Sequence, residues 1–480
     1  MPDADVSDEV SPEELFHPES LRAVHVPPRP AAEPGLWSAE RRGLTTGLVL
    51  TVTLVAAEAL AVSTAAVIVA RDLGGLDLYG LVFSAFLVGS LFGIVLVGGL
   101  IDRMGVVAPF VGGLALFALG LLLAGLAPSM PFLIAARLIQ GIGGGAVPPV
   151  AYVAIGRSLP EALRPEMFAL LSTAWVLPGV IGPAIAGAVA ENLHWRLVFL
   201  GLLPLIAVSG TLAVRALMRL PPVRQAQASS LATRVAEALV VAVGVALITV
   251  GLNQAEPLGL VSLAVAGVAL TLVAFRRLTP SGTLRLARGY PSAVLLRGVL
   301  TFAFFSVDAY VALLLVEVRG WSAAAAGIAV TGATLSWTAG SWVQARLSSR
   351  FRTESFVRVG FPVVALGLAG LAPALVMSVP AEIVIPAFAV AGFGMGLTYA
   401  QFALIVLRDV EAHAQGHVTA GLTLSDSVGT AVGTGVTAAL IAAAVRSGAG
   451  PGPGLAVAIA IGVSLALLGF LLSPRLRPAG

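Results

Sequence analysis

The chain has 480 residues, 58% of them hydrophobic and 11% charged, with a formal net charge of +3. A soluble domain carries about 25% charged residues, so this balance belongs to a chain that crosses a bilayer many times. It contains no Cys and no Lys, all 28 basic residues being Arg, which excludes disulfides, thiolate chemistry and the phosphate-binding lysine of a nucleotide-driven pump.

Residues 1–43 hold nine acidic residues against four Arg, with Pro scattered through "HVPPRPAAEPG". That composition reads as a disordered cytoplasmic tail, too acidic and too long before the first apolar run for a cleaved signal peptide. A partner-binding arm is the other reading of the same stretch.

About 20 apolar residues cross the hydrocarbon core as a helix. Fourteen such runs follow, near 44–70, 79–101, 106–127, 131–156, 167–190, 196–218, 235–253, 258–277, 291–316, 322–345, 356–378, 381–406, 417–445 and 453–473. Runs so long and uniform are helices, not barrel strands. With the N-terminus inside, twenty-three Arg are assigned to cytoplasmic segments and four to the outside, and Arg137 is left inside a span. Arg297 is counted in the first group. The asymmetry fits an even number of spans with both termini cytoplasmic.

The motifs also come in chain order. "GGLIDRMG", with Gly98, Asp102, Arg103 and Gly105, sits in the very short turn between spans two and three. Span four carries "RLIQGIGGG" with Arg137, Gln140, Gly141 and Gly143, and span five carries "PGVIGPAIAG" with Gly179, Gly182, Pro183 and Gly187. "HWRLVFLGLLP" opens span six. Together and in this order these resemble the loop, fourth-helix and antiporter signatures of the major facilitator superfamily, in its fourteen-helix drug:proton antiporter subgroup. "GSWVQARLSSRF" at 340–351 is a degenerate echo of the first loop that keeps Gly340 and Arg346, as two diverged repeats would leave.

The resemblance implies an all-α membrane protein with both termini cytoplasmic and fourteen spans in two six-helix bundles plus two inserted helices. The expected organisation is a tail (1–43), an N-terminal bundle (44–218), a linker with two additional helices (219–290), a C-terminal bundle (291–473) and a short cytoplasmic tail (474–480). It also implies that Asp102 and Arg103 brace the closed cytoplasmic side, although Val106 and Val107 stand where the family places basic residues. A plain topological turn is the alternative. Pro178 and Pro183 would bend span five, and the family ties that bend to limiting leakage in exporters.

Ionisable groups at depth are costly and usually mark a pathway. Glu58, Arg137, Asp308 and Asp426 lie within apolar runs. A carboxyl group in oil gives up its charge more readily than one in water, so Glu58 and Asp308 are candidates for proton coupling. Arg137 stays charged and acts electrostatically; the resemblance places it near the first helix. Asp426, between Ser425 and Ser427, is read as a helix-break cap or a cavity-lining residue, and His413 and His417 as surface residues of a loop. The tracts at Gly141–Gly145 and Gly429–Gly433 read as close helix packing.

The expectation is therefore a monomeric proton-coupled exporter of lipophilic or amphiphilic small molecules in the inner membrane. Its partners are substrate, protons and the bilayer; no cofactor, metal, nucleic acid or enzymatic centre is expected. Lipid or glycolipid export, solute import and a transport-inactive receptor or scaffold are the competing readings.

Overall fold

The computed structural model describes residues 35–74, 78–219, 231–252 and 257–477, and among them all regular structure is helical, without a strand. The helices are α1 (Arg42–Asp72), α2 (Tyr79–Met104), α3 (Val107–Gly125), α4 (Met130–Ser158), α5 (Arg164–Thr173), α6 (Val176–Val189), α7 (Arg196–Leu200) and α8 (Leu202–Leu217). They continue with α9 (Leu231–Leu252), α10 (Pro257–Leu278), α11 (Tyr290–Leu313), α12 (Ala323–Leu347), α13 (Thr353–Ala369), α14 (Val384–Asp409), α15 (Gln415–Arg446) and α16 (Gly452–Leu472). Twelve stretches are long and apolar enough to span a membrane, which makes this a multi-pass membrane protein. The helices outside that set are α9 and α12; Gly, Ser, Thr and Trp dilute the apolar content of α12.

The tail expected over 1–43 lies outside the described residues through residue 34. Its last part is ordered: Leu36 is buried, and its carbonyl accepts the Thr45 hydroxyl at 3.1 Å. Residues 220–230 and 253–256 of the expected linker are also outside the described set.

The fifth apolar run folds as two helices. Pro178 lacks an N–H to bond the Ala174 carbonyl, so α5 ends at Thr173, and the ladder resumes with Gly179 N–H donating to Trp175 O at 2.9 Å. Pro183 lies within α6, its side chain outside the described set.

Each half repeats one packing plan. In the first, α2 and α3 flank α4, α8 packs on α1 and α3, and α6 packs on α1. In the second, α12 and α13 flank α14, α16 packs on α11 and α13, and α15 packs on α11. Small residues make both plans possible. A Cβ on Gly141 or Gly145 would collide with the carbonyls of Phe86 and Ser90 on α2, and one on Gly143 with the α3 backbone at Phe117. In the second half Gly392 and Gly396 pass the carbonyls of Ala333 and Trp337 in the same way. Such close passes let van der Waals contact hold helices that share one apolar solvent.

The pair α9–α10 belongs to neither plan. It lies over the seam between the halves, where Ala238, Val241, Val245 and Phe275 bury Leu91, Ile94 and Val95 of α2 and Ala420 and Leu424 of α15.

Candidate functional site

Glu58 is wholly buried near the middle of α1, and Arg137 of α4 is its ion-pair partner. The same Arg137 Nη1 donates to Gln140 Oε1 at 2.6 Å, one helical turn along α4. Arg137 Nε points to the Val82 carbonyl of α2 at 3.4 Å, and the guanidinium lies 4.4 Å over the Phe86 ring. A planar, permanently charged fork suits this set of partners. Glu58 Oε2 and Gln140 Nε2 are buried with no hydrogen-bond partner among the described residues. One oxygen of the carboxylate is thus left open among the described residues.

Asp308 lies on α11 at a depth similar to Glu58, about 27 Å from the helix start against about 24 Å. It is half-buried and has neither ion pair nor hydrogen bond among the described residues. One turn below it, Phe304 stacks on Phe388 at 5.6 Å, and Phe304 and Phe305 both meet Trp337. Trp337 in turn meets Tyr399 at 5.2 Å.

That aromatic wall ends at a second buried ion pair. Arg297 Nη2 lies 3.0 Å from Asp426 Oδ2, which also accepts the Tyr399 hydroxyl at 2.7 Å. Arg297 Nη1 donates to the Tyr399 carbonyl at 2.6 Å, and Nη2 reaches the Tyr152 hydroxyl at 3.4 Å. Asp426 is therefore a counter-ion in an unbroken helix and not a cap. Sequence reasoning counted Arg297 with the cytoplasmic loops, and the structure corrects this: it is 1% exposed, two turns inside α11. The signal available was the apolar sequence on both sides of it, "AVLL" and "GVL".

The turn at Gly98–Gly105 marks one end of the molecule, where the halves meet. Asp102 is buried and accepts the N–H groups of Gly416 and His417 at 2.8 and 2.7 Å. These are open donors in the first turn of α15, where the helix dipole also favours a negative charge. Gly98 permits the approach, since a Cβ there would strike Ala420. Gly105, at φ 76°, makes the reversal that L residues resist. Arg103 is exposed and forms no pair with Asp102; only the aspartate reaches the other half. His417 is likewise not a surface loop residue. It sits half-buried in α15, its ring 3.3 Å from Arg234 of α9.

Further contacts close the same end. Arg157 donates to Ala412 O at 2.8 Å and Arg164 to Leu407 O at 3.2 Å. Ser172 and Ser341 lie 3.0 Å apart, and Trp342 Nε1 donates to Thr173 at 2.9 Å. The "HWR" sequence works at the opposite end: Trp195 Nε1 donates to Asp72 at 2.7 Å, and Arg196 bonds the Ala127 carbonyl at 3.0 Å.

The glycines of α6 differ from those of α4. A Cβ on Gly179, Gly182 or Gly187 would find ordinary neighbours at 3.8, 3.9 and 3.6 Å, from Thr334 of α12 and Leu60 and Thr64 of α1. They line the approach of α6 to α1 and α12 without being forced by it.

Comparison with known proteins agrees with this architecture. The profile of the Major Facilitator Superfamily matches residues 47–434. The multidrug transporter protein MdtP of Bacillus subtilis is 27% identical over 393 residues, covering 79% of this chain and 72% of that one. The methylenomycin A resistance protein of Streptomyces coelicolor is 30% identical over 336 residues, 67% of each chain. A probable multidrug-efflux transporter of Mycobacterium tuberculosis is 38% identical over 128 residues, and this match spans 27% of each chain. Among solved structures, the human organic anion transporter MFSD10 superposes with a TM-score of 0.64 at 16% identity, covering 91% of this chain and all of that one. The proton:xylose symporter XylE gives 0.63 at 16% identity, covering 89% and 94%; at such identities the likeness is one of fold. With its duplicated helical plan and a profile match running from α1 into α15, the chain belongs to the major facilitator superfamily, whose members are transporters, and it has multidrug-efflux proteins among its relatives.

Proposed function

We propose that this protein is a proton-coupled exporter of lipophilic or amphiphilic small molecules that works by alternating access. The observation that carries the reading is the pair of deep carboxyl groups in unlike settings. Glu58 is held by Arg137 but keeps a free oxygen, and Asp308 is unpartnered at the same depth in the other half. An uncompensated charge opposes closure around an apolar substrate; a proton removes that opposition. The wall of Phe304, Phe305, Trp337 and Tyr399 beside Asp308 offers flat apolar surface to such a substrate. A relative named as a probable multidrug-efflux transporter, that of Mycobacterium tuberculosis, supports the direction.

In this reading the Gly98–Gly105 end is cytoplasmic and closed, the fourteen apolar runs all span the inner membrane, and both termini lie inside. Residues 44–218 and 291–473 are the two moving bundles of a monomer, and 219–290 carries the two inserted helices. Moving Arg297 from the loops to the interior leaves the Arg bias strongly inward. One proton crossing about 100 mV contributes roughly 2.3 kcal/mol, and one pH unit adds about 1.4 kcal/mol. The two together sustain a gradient of several hundredfold for a neutral substrate.

The test is transport of a lipophilic fluorescent dye into inside-out proteoliposomes under an imposed pH gradient. Wild type concentrates the dye; Glu58→Gln and Asp308→Asn equilibrate it without concentrating it. Concentrative uptake by both variants overturns the coupling assignment.

A further inference from the structure

Arg297 is the largest of the wholly buried side chains. A guanidinium in that position needs a counter-ion to persist. Asp426 of α15 supplies the charge, and the Tyr399 carbonyl of α14 takes Nη1. The Tyr399 ring lies 3.2 Å beneath the guanidinium carbon. All of these partners belong to the second half, and Arg297 Nε is buried without a hydrogen-bond partner among the described residues. Its remaining contact is of another kind: Tyr152, on α4, belongs to the first half. None of these groups has a part in the coupling assigned above to Glu58, Arg137 and Asp308.

Position gives the contact its meaning. Tyr152 lies six residues before the end of α4 and Arg297 seven residues after the start of α11, each about 10 Å inside the closed end. The contacts of Asp102, Arg157 and Arg164 form the outer rim of that end. Tyr152–Arg297 is a deeper layer, between the rim and the aromatic wall. The Asp426 side chain is 16% exposed where that of Arg297 is 1% exposed, so the aspartate is the accessible member of the pair.

We propose that Arg297 is a positioning residue that latches the two halves at the floor of the substrate path. Asp426 and Tyr399 aim its guanidinium at the Tyr152 hydroxyl, and that contact parts when the cytoplasmic end opens. At 3.4 Å the Tyr152 bond is long, as suits a contact made and broken in every cycle. The two tyrosine rings hold their places independently: Tyr152 packs edge-on to Phe168 at 5.2 Å and Tyr399 on Trp337. Losing the Tyr152 hydroxyl therefore frees the latch without emptying the core.

The proposal rests on the alternating-access reading, and its test separates the two. The chain contains no cysteine, so Ser172→Cys places a single thiol at the Ser172–Ser341 contact, which must separate on opening. In inside-out vesicles without substrate or gradient, the labelling rate by a membrane-impermeant maleimide reports how often the cytoplasmic end opens. Tyr152→Phe in this background raises the rate about fivefold, the shift that one modest hydrogen bond supplies. Tyr152→Gln, which restores an acceptor for Arg297, returns it toward the parent value. Tyr399→Phe, which loosens Asp426 but leaves Tyr152 in place, gives a smaller rise. An unchanged rate in Tyr152→Phe overturns the latch whatever the result of the proton-coupling experiment. A raised rate together with intact concentrative uptake by Glu58→Gln and Asp308→Asn keeps the latch and removes the coupling assignment.

Discussion

Asp102 receives the first-turn amides of α15 through both carboxylate oxygens, so an acidic residue of one half terminates a helix of the other. Hydrogen bonds to a charged group contribute about 1.5–3 kcal/mol each, and these two exist only while the halves are in contact. Asp102→Ala should move the balance between closed and open forms by about 3–6 kcal/mol, roughly a hundredfold or more in population. Distance measurements between spin labels across the closed end would register the shift. Arg103→Ala should leave it unchanged, because Arg103 points to solvent.

Removing one member of a buried ion pair strands the other, at a cost of about 3–5 kcal/mol. Glu58→Gln should therefore lower the midpoint of thermal unfolding in detergent, with Arg137 left charged and unpaired. The double variant Glu58→Gln/Arg137→Gln should recover most of that loss while remaining unable to concentrate substrate. A double variant as unstable as the single one would show that the pair is not the source of the effect.

The glycines of α4 and α6 should answer differently to alanine. Gly141→Ala and Gly143→Ala drive a methyl into the backbones of α2 and α3, overpacking that costs about 1–3 kcal/mol or more. Yield of folded protein should fall for both. Gly182→Ala and Gly187→Ala meet only ordinary contacts and should express and melt like the parent. Monodispersity on gel filtration and the melting midpoint are the measurements.

Pro178→Ala supplies an N–H that can donate to the Ala174 carbonyl. The expected result is fusion of α5 and α6 into one helix, with thermal stability equal to or above the parent. Turnover should drop if the break is needed for the two segments to tilt separately. Equal turnover, measured as initial rate of dye transport, would make the break dispensable.

The all-helical, multi-pass arrangement was legible in the sequence, because long apolar runs in a bilayer leave little but helix. The close glycine passes were legible too, from small residues at intervals of two to four. The partnership of Glu58 with Arg137 was anticipated from the family resemblance, which places the fourth-helix Arg near the first helix. What escaped was anything set by which way a residue near a helix end faces. Arg297 follows the loop residues Arg285 and Arg288, which are exposed, and only the apolar residues on both sides of it set it apart in the sequence. His417 and Arg234 escaped for the same reason, lying at helix starts that pack against each other. The division of roles between Asp102 and Arg103 was hidden because neighbours in sequence point some 100° apart on a helix.

The packing of α9 bears on motion. α9 buries side chains of α2 and of α15 together, one from each half of the molecule. Any swing that draws those two helices apart strips oil-facing surface from α9 on one side, while a swing that keeps them touching leaves it undisturbed. Parting the Asp102 contacts draws α2 from α15 at that end, so opening there must peel α9 from one of the two, and the burial beneath α9 weighs against it.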